Sequence, residues 1–374
     1  MQGLAIVNKG IENTAALEIK ELIKSSPEIR ESCVIFGIKD FDDLAKLCYT
    51  AQSVNRILFL LDSFKINSVE DIKERIEKIN FDKFLNKNRT FVVRSERIGE
   101  HSFTSSEIEA ETGEFIIEKI KKDKKYTQKV DLNNPGIIVF VYIYNDDCYM
   151  GIDFAGRELD KRDYKIFSAP NSLKGTVAYA LVRIAEYNKK EIILDPFCLS
   201  GEIPIEAAMF ANNFPVNHFS RDKFAFNKFL KFNFEKIDKK IKKARLKIMG
   251  FASLTNLKSC QKNAKIAGIE KSIGITKIDV DWLDIKLKKN SIDKIISYPP
   301  QISIARNNEK DIEKIYKELF YQAEYILKKK GMAVLLTRKD ELLKKYAEEY
   351  KFKLINEKTI MQGKEEMKVL IWEK

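Results

Sequence analysis

The pattern of apolar and polar positions at the start of the chain predicts a small α+β domain. Short apolar runs with the length of strands occur at 3–8, 32–38 and 56–64. Between them, apolar residues at helical spacing occur at 13–26 and 41–54. The order strand, helix, strand, helix, strand is typical of a ferredoxin-like domain, which we therefore expect over residues 1–64.

A second α+β unit is predicted over residues 65–160. It opens with the amphipathic helix VEDIKERIEKI, and continues with the strand TFVVRSERI and a loop that opens a helix within 101–122. Two strands, IIVFVYIYN and CYMGIDFAG, flank a polar turn at 145–147, which predicts a hairpin. The polar, proline-bearing stretch after it predicts a linker over residues 161–172.

Residues 173–374 alternate helices and strands, which predicts a parallel sheet covered by helices, with KLINEKTI and MKVLIWE as a final antiparallel pair. Ligands of such sheets bind at the carboxyl ends of the strands, where the strand order reverses. The turn DPFCLSG (195–201) falls at such an end, and its glycine would let backbone N–H groups approach a ligand. An ordinary tight turn is the alternative interpretation of this glycine.

The amino-acid composition is typical of a folded protein and not of a membrane-spanning one. The apolar fraction is 44% and the charged fraction 33%, as in folded soluble proteins, and no apolar run has the length that a membrane helix needs. We expect a cytoplasmic protein without a membrane segment. The five cysteines form no CxxC pair and the chain has two histidines, so we expect no metal site and no serine-histidine triad.

Positive charge is concentrated in the second part of the chain. Residues 1–155 hold 22 Lys and Arg against 26 Asp and Glu, whereas residues 156–374 hold 45 against 29. Such a field attracts nucleic acid, although lysines also serve solubility alone. Residues 221–247 carry 11 Lys and Arg together with five phenylalanines, most of which we expect to pack inward. The segment predicts RNA contacts at Lys228, Lys231, Lys239 and Lys240.

The stretch FVVRSERIGEHSFTSSEIEAETGEFI, followed by VDLNNPGIIVFVYIYNDDCYMGIDFAGRELDKRDYK, resembles a THUMP domain. That family shares an FxVRxKR strand, an HxFxSxDIE helix start, VDLxxP and a GxxLxKRxY exit. The resemblance implies binding of RNA, at the acceptor end of tRNA. The implied RNA contacts are Arg94, Arg97, Ser105, Ser106, Lys161 and Arg162. Serines at a helix N-terminus suit a phosphate, whereas the simpler alternative makes Ser105 a helix cap.

The remainder resembles the RNA guanine-N2 methyltransferases that carry THUMP domains. DPFCLSGEIPIEAA is similar to their DPFCGSGTIPIEAA, and VDWLDIKLKKNSIDKIISYPPQ to their GDWxDLPLxDNSVDLIITNPPYG. The resemblance implies a Rossmann-like domain at 173–374 that binds S-adenosylmethionine and methylates a guanine amine in tRNA. The implied cofactor residues are Asp195, Phe197, Ser200, Gly201 and Asp281. The implied catalytic residues are Tyr298, Pro299 and Pro300.

Five positions depart from that family. Leu199 replaces the first glycine of the cofactor turn. Ala252 and Leu254 occur at the matching positions of the family's GxDxD, whose acid would bind the ribose. Tyr298 replaces the Asn or Asp before the prolines, where it could stack on the base or donate a hydrogen bond, and Gln301 replaces the aromatic after them. Two hypotheses therefore stay open. The chain is a methyltransferase that acts on tRNA or on rRNA, or it is an inactive RNA-binding protein with a relic pocket, acting as a chaperone or as the partner of an active subunit. Methylation of DNA or of protein amides is a third possibility, which the THUMP resemblance disfavours.

Overall fold

Strands from both predicted N-terminal domains join one seven-stranded sheet. The structure, a computed structural model, describes residues 1–302 and 309–374. The first sheet consists of β1 (Gln2–Ile6), β2 (Glu28–Arg30), β3 (Cys33–Gly37), β4 (Arg56–Lys65), β5 (Phe91–Ile98), β6 (Ile137–Tyr144) and β7 (Asp147–Asp153). Its strand order is β2-β3-β1-β4-β7-β6-β5. Because β4 pairs with β7 from Leu58↔Asp153 to Lys65↔Asp147, the sheet runs without a break across the predicted boundary at residue 64.

Four helices accompany this sheet: α1 (Glu12–Ile23), α2 (Phe41–Thr50), α3 (Val69–Ile76) and α4 (Ser105–Lys124). The strands bury their apolar positions in a shared core that includes Leu4, Leu58 and Phe140. The expected helices and strands are present in this part of the chain. The strand β2 was not predicted, because its three residues are all exposed and carry no apolar pattern.

The second sheet has the order of a doubly wound fold. Its strands are β8 (Ile193–Asp195), β9 (Ile248–Ala252), β10 (Gly274–Lys277), β11 (Ile292–Ser297), β12 (Leu327–Thr337), β13 (Lys353–Gln362) and β14 (Glu365–Glu373). They are arranged β10-β9-β8-β11-β12-β14-β13, with β13 and β14 forming the expected antiparallel pair. The strand order reverses beside β8, which pairs in parallel with β9 on one side and β11 on the other. A ligand crevice is therefore expected at the carboxyl end of β8.

The helices around this sheet are α5 (Gly175–Ile184), α6 (Glu202–Asn212), α7 (Glu235–Asp238), α8 (Leu254–Ile266), α9 (Leu283–Lys286), α10 (Glu309–Ile326) and α11 (Glu341–Glu349). Short 3-10 helices span His218–Lys223, Ala225–Lys228 and Val280–Trp282. Helix α11 was not predicted, although its leucines and tyrosine follow helical spacing. Among residues 1–302 and 309–374, every helix is too short or too polar to cross a bilayer.

The chain divides into two compact units that are not continuous in sequence. The first comprises Met1–Val7, Ala15–Leu159 and Ser220–Phe234, and the second comprises Asn8–Thr14, Asp160–Phe219 and Glu235–Lys374. The predicted division at residues 161–172 therefore misses two exchanged segments: residues 220–234, from the basic and aromatic stretch, belong to the first unit, and residues 8–14 belong to the second.

Aromatic packing explains why residues 220–234 belong to the first unit. Phe226 is fully buried, and its ring centroid lies 6.4 Å from that of Phe154. Phe229 lies 5.3 Å from Phe154, and Phe234 lies 4.9 Å from Tyr49. Burying an aromatic side chain contributes several kcal/mol, so these rings anchor the segment. The expected inward packing of the phenylalanines is confirmed.

Candidate functional site

The turn predicted to hold a cofactor lies between β8 and α6, at the switch point of the second sheet. Strand β8 ends at Asp195, and α6 begins at Glu202. Gly201 caps the helix with φ +92°, a conformation that favours glycine. A Cβ atom at this position would lie 3.1 Å from the Ile205 Cδ1 atom. The turn thus brings the N-terminus of α6, with its free N–H groups, to the carboxyl edge of the sheet.

Asp195 is the buried acid of this turn. Its Oδ1 atom accepts hydrogen bonds from the Ser297 hydroxyl at 2.5 Å and from the Phe197 N–H at 3.2 Å. Burial raises the pKa of Asp195 to about 7, while these two hydrogen bonds act in the opposite direction. Because both bonds reach Oδ1, the other oxygen, Oδ2, is the one that a cationic group of a ligand would meet.

A second set of hydrogen bonds ties the predicted linker to the same turn. Asn263 on α8 donates to the carbonyl oxygens of Ser200 and Phe167, at 2.9 Å each, and accepts from the Phe167 N–H at 3.1 Å. The Ser200 hydroxyl oxygen accepts from the Ala169 N–H at 2.6 Å. Neither Asn263 nor Ser297 was predicted as a site residue. Asn263 is a lone polar residue in an amphipathic helix, and the motif that Ser297 opens assigns roles only to the residues after it.

The diproline loop follows β11, beside the cofactor turn. The Gln301 amide donates to the Pro299 carbonyl at 2.6 Å, and the Tyr316 hydroxyl donates to the Pro300 carbonyl at 2.7 Å. The bond between Ser297 and Asp195 joins this loop to the cofactor turn. The structure therefore brings together the two motifs that the sequence separates by about a hundred residues.

Tyr298 does not present its ring to solvent. The side chain is 3% exposed, and within the described residues its hydroxyl has no hydrogen-bond partner. Burial raises the pKa of Tyr298, whereas the positive charge of Arg338 lowers it. The expectation that Tyr298 could stack on a target base is corrected, because stacking requires an accessible ring face.

The edge formed by β9 and β10 holds the remaining predicted cofactor position. Asp281 is exposed in the 3-10 helix that follows β10. Ala252 ends β9 without a polar group, and the next residue, Ser253, places its hydroxyl 2.9 Å from that of Thr255. A buried carboxylate and a glycine-capped helix N-terminus after β8, with an exposed acid in the 3-10 helix after β10, fit the amino-acid and adenine ends of S-adenosylmethionine. The ribose would meet hydroxyl groups instead of an acid.

Arg162 does not belong to an RNA-binding surface. Its side chain and that of Glu206 are both 0% exposed, with Nε to Oε1 at 2.8 Å and Nη2 to Oε2 at 3.2 Å. The Tyr164 hydroxyl donates to the same carboxylate at 2.7 Å. The prediction of RNA contact is corrected for this residue, because a fully buried ion pair cannot reach a phosphate. The neighbouring Lys161 is exposed.

In the first unit, two of the predicted RNA contacts hold the loop between α4 and β6. The Arg94 guanidinium donates to the Leu132 carbonyl at 2.8 Å. Lys228 donates to the side chain of Asn134 at 2.5 Å and to the Pro135 carbonyl at 2.7 Å. Arg94 is partly exposed and Lys228 is exposed. Both cations therefore remain accessible while they hydrogen-bond to the loop between α4 and β6.

The other predicted contacts of the first unit lie near the start of α4. Thr104 rather than Ser105 caps the helix, through a reciprocal pair of bonds with Glu107. Ser105 and Ser106 form the first turn of the helix. An Arg97 guanidinium nitrogen lies 3.1 Å from the His101 Nδ1 atom. Among the predicted lysines, Lys231 is exposed in the first unit, and Lys239 and Lys240 are exposed after α7 in the second.

Two family models match the chain. The model described as the RMKL-like methyltransferase domain matches residues 162–368, and the THUMP domain model matches residues 67–153. The two matched ranges coincide with the two resemblances found in the sequence motifs. They also fall on the two sheets, apart from the strands that precede residue 67.

Two relatives that match the chain over nearly its whole length have the same name. The chain is 31% identical over 368 residues to a tRNA (guanine(6)-N2)-methyltransferase of Methanocaldococcus jannaschii, covering 96% of each protein. It is 27% identical over 371 residues to a protein of the same name from Archaeoglobus fulgidus, covering 98% of this chain and 91% of that protein. The solved structure of SMU.472, a putative methyltransferase complexed with SAH, has the same fold, with a TM-score of 0.82 at 21% identity, covering 99% of this chain and 97% of that chain.

Proposed function

Because the chain belongs to the RMKL-like methyltransferase family and carries a THUMP domain, we propose that it methylates the exocyclic N2 amine of a guanine in tRNA. The names of the two full-length relatives support guanine 6 as the target. The methyl donor is S-adenosylmethionine, which supplies an electrophilic methyl group when bound. A cytoplasmic location goes with this proposal, since tRNA is the substrate.

The hydrogen bond between Ser297 and Asp195 is the observation that carries the proposal. It links the turn that would hold the cofactor to the loop that would hold the base, so the two reactants meet at one edge of the sheet. Positioning of this kind supplies much of the rate enhancement in a direct transfer. The Pro299 carbonyl would accept one amine hydrogen, which aims the nitrogen lone pair at the methyl carbon. The Asp195 carboxylate would accept from the cofactor's ammonium group.

A substrate lacking the target amine tests the proposal directly. We expect the protein to methylate a tRNA with guanine at position 6, and to leave unmodified the same tRNA with inosine at that position. Inosine keeps the base shape and removes only the N2 amine. The measurement is incorporation of radioactive methyl groups, followed by nucleoside mapping. Equal labelling of both tRNAs would contradict the proposed target.

The exposed lysines after α7 are proposed as RNA contacts. Replacing Lys239 and Lys240 together with alanine is expected to weaken tRNA binding and to reduce the slope of log affinity against log salt by roughly 1.5, since two phosphate contacts are lost. The matched control replaces Lys329 and Lys358, which are exposed on β12 and β13 of the same unit. An unchanged slope in the first variant would remove these lysines from the interface.

An inactive RNA-binding protein is the second candidate function, and two observations favour it. Ala252 offers no acid to the ribose, and Tyr298 is buried where the family has a compact polar side chain. In that case methylation would require an active partner subunit. Calorimetric titration with S-adenosylmethionine separates the two candidates, because only an enzyme gives saturable heat, while both bind tRNA.

A further inference from the structure

The side chain of Gln301 is fixed at both ends of its amide. Its Nε2 atom donates to the Pro299 carbonyl at 2.6 Å. Its Oε1 atom accepts from the Arg338 backbone N–H at 2.9 Å. It also lies 3.1 Å from the Thr337 hydroxyl, whose single proton has a nearer acceptor in the Lys339 carbonyl at 2.6 Å. The amide therefore bridges the diproline loop and the end of β12. Its orientation is defined, since the oxygen faces the Arg338 N–H and the nitrogen faces the Pro299 carbonyl.

The diproline loop needs such a bridge. Prolines lack a backbone N–H, so Pro299 and Pro300 make no hydrogen bonds through their own nitrogens. Their carbonyls are instead held by side chains, with Gln301 at Pro299 and Tyr316, from α10, at Pro300. Each carbonyl oxygen has two lone pairs, and the bond from Gln301 uses one of those on the Pro299 oxygen. Pro299 is buried, so a substrate amine would have to enter the loop to reach the other.

We infer that Gln301 is a positioning residue for methyl transfer, whose amide directs the Pro299 carbonyl toward the target amine. This inference rests on the proposed function. The family has an aromatic side chain at this position, which would stack on the base. In this chain the same position acts on the carbonyl instead, and holds it at a fixed distance from β12. Fixing an acceptor before the substrate binds avoids reorganisation during the reaction.

Two substitutions of similar size test the inference. Gln301→Glu keeps the shape but places a carboxylate against the Pro299 carbonyl, and Gln301→Met removes the hydrogen bonds at both ends of the amide. We expect kcat to fall about tenfold for Gln301→Met, the ratio that one ordinary hydrogen bond supports. A larger fall is expected for Gln301→Glu near pH 8. The affinity for S-adenosylmethionine, measured by calorimetry, should stay unchanged and also reports that the variants are folded.

The pH profile separates positioning from a merely structural role. When the introduced carboxyl group is protonated it can donate to the Pro299 carbonyl, so kcat of Gln301→Glu, relative to wild type, should recover as the pH falls from about 8 to 6. Gln301→Met should show no such recovery. Gln2→Glu, an exposed position on β1, makes the same change of charge as a control.

The outcomes distinguish this inference from the function on which it rests. An active wild type whose Gln301 variants keep full kcat, or lose only cofactor affinity, would overturn the positioning role alone. A reduced kcat for Gln301→Glu without recovery at low pH would also overturn it. A wild type that transfers no methyl group to tRNA would overturn the proposed function and the positioning role together.

Discussion

Replacing Arg162 with alanine is expected to lower the free energy of unfolding of the second unit by about 3–5 kcal/mol. The carboxylate of Glu206 is fully buried, and it would lose the charged partner at 2.8 Å, although the Tyr164 hydroxyl would still donate to it. Burying an uncompensated charge costs far more than the pair itself contributes. Urea unfolding at neutral pH, monitored by circular dichroism, measures the change.

Lys161→Ala is the matched control, one residue away. Because Lys161 is exposed, its replacement should change the free energy of unfolding by less than about 0.5 kcal/mol. Joint replacement of both partners, Arg162→Met with Glu206→Leu, should recover much of the lost stability, since neither charge of the buried pair is then left without its partner. If Arg162→Ala unfolds at the same urea concentration as wild type, the buried pair has no such role.

Binding of S-adenosylmethionine is expected to strengthen several-fold as the pH rises from about 6 to 7.5. The pKa of Asp195 is raised to about 7 by burial, and only its ionised form accepts a charge-assisted hydrogen bond from the cofactor's ammonium group. Asp195→Asn should weaken binding by roughly tenfold to a hundredfold and remove this pH dependence. Calorimetric titration at several pH values measures both effects.

The raised pKa of Asp195 also predicts how the stability of the protein without cofactor depends on pH. A carboxyl whose pKa is raised on folding contributes most stability below its unfolded value of 3.8, and that contribution is lost as the pH rises through about 7. Relative to Asp195→Asn, the wild type should therefore lose stability between about pH 4 and pH 8, by an amount of the order of 4 kcal/mol.

Ser297→Ala provides the control for both measurements on Asp195. The Ser297 hydroxyl lowers the pKa of this acid, so its removal should move the midpoint of the cofactor-binding profile to higher pH. A midpoint that stays in place, or a profile that Asp195→Asn leaves unchanged, would show that another group controls the dependence.

The local motifs were sufficient to predict most of the elements and the identity of the family. A continuous apolar run marks the strand β6, which is buried at nearly every position, and apolar residues at helical spacing mark helices such as α3, because burial imposes the pattern directly on the sequence. The turn at 195–201 and the prolines at 299 and 300 were identified from short motifs. These motifs keep their residue types because the backbone there needs a glycine conformation or lacks an N–H.

Only the tertiary structure decided which side chains those motifs meet. Lys228 and Arg162 look alike in sequence as basic residues, yet one is exposed on the first unit and the other is buried against Glu206. Ser297 and Gln301 are the two ends of the motif SYPPQ, but the motif does not indicate their contacts with Asp195 and Pro299, which the structure shows. The physical reason is that apolar periodicity indicates only which face of a single helix or strand is buried. Hydrogen bonds and ion pairs between elements depend on which elements the fold places side by side, and this is decided by the strand order of the sheet.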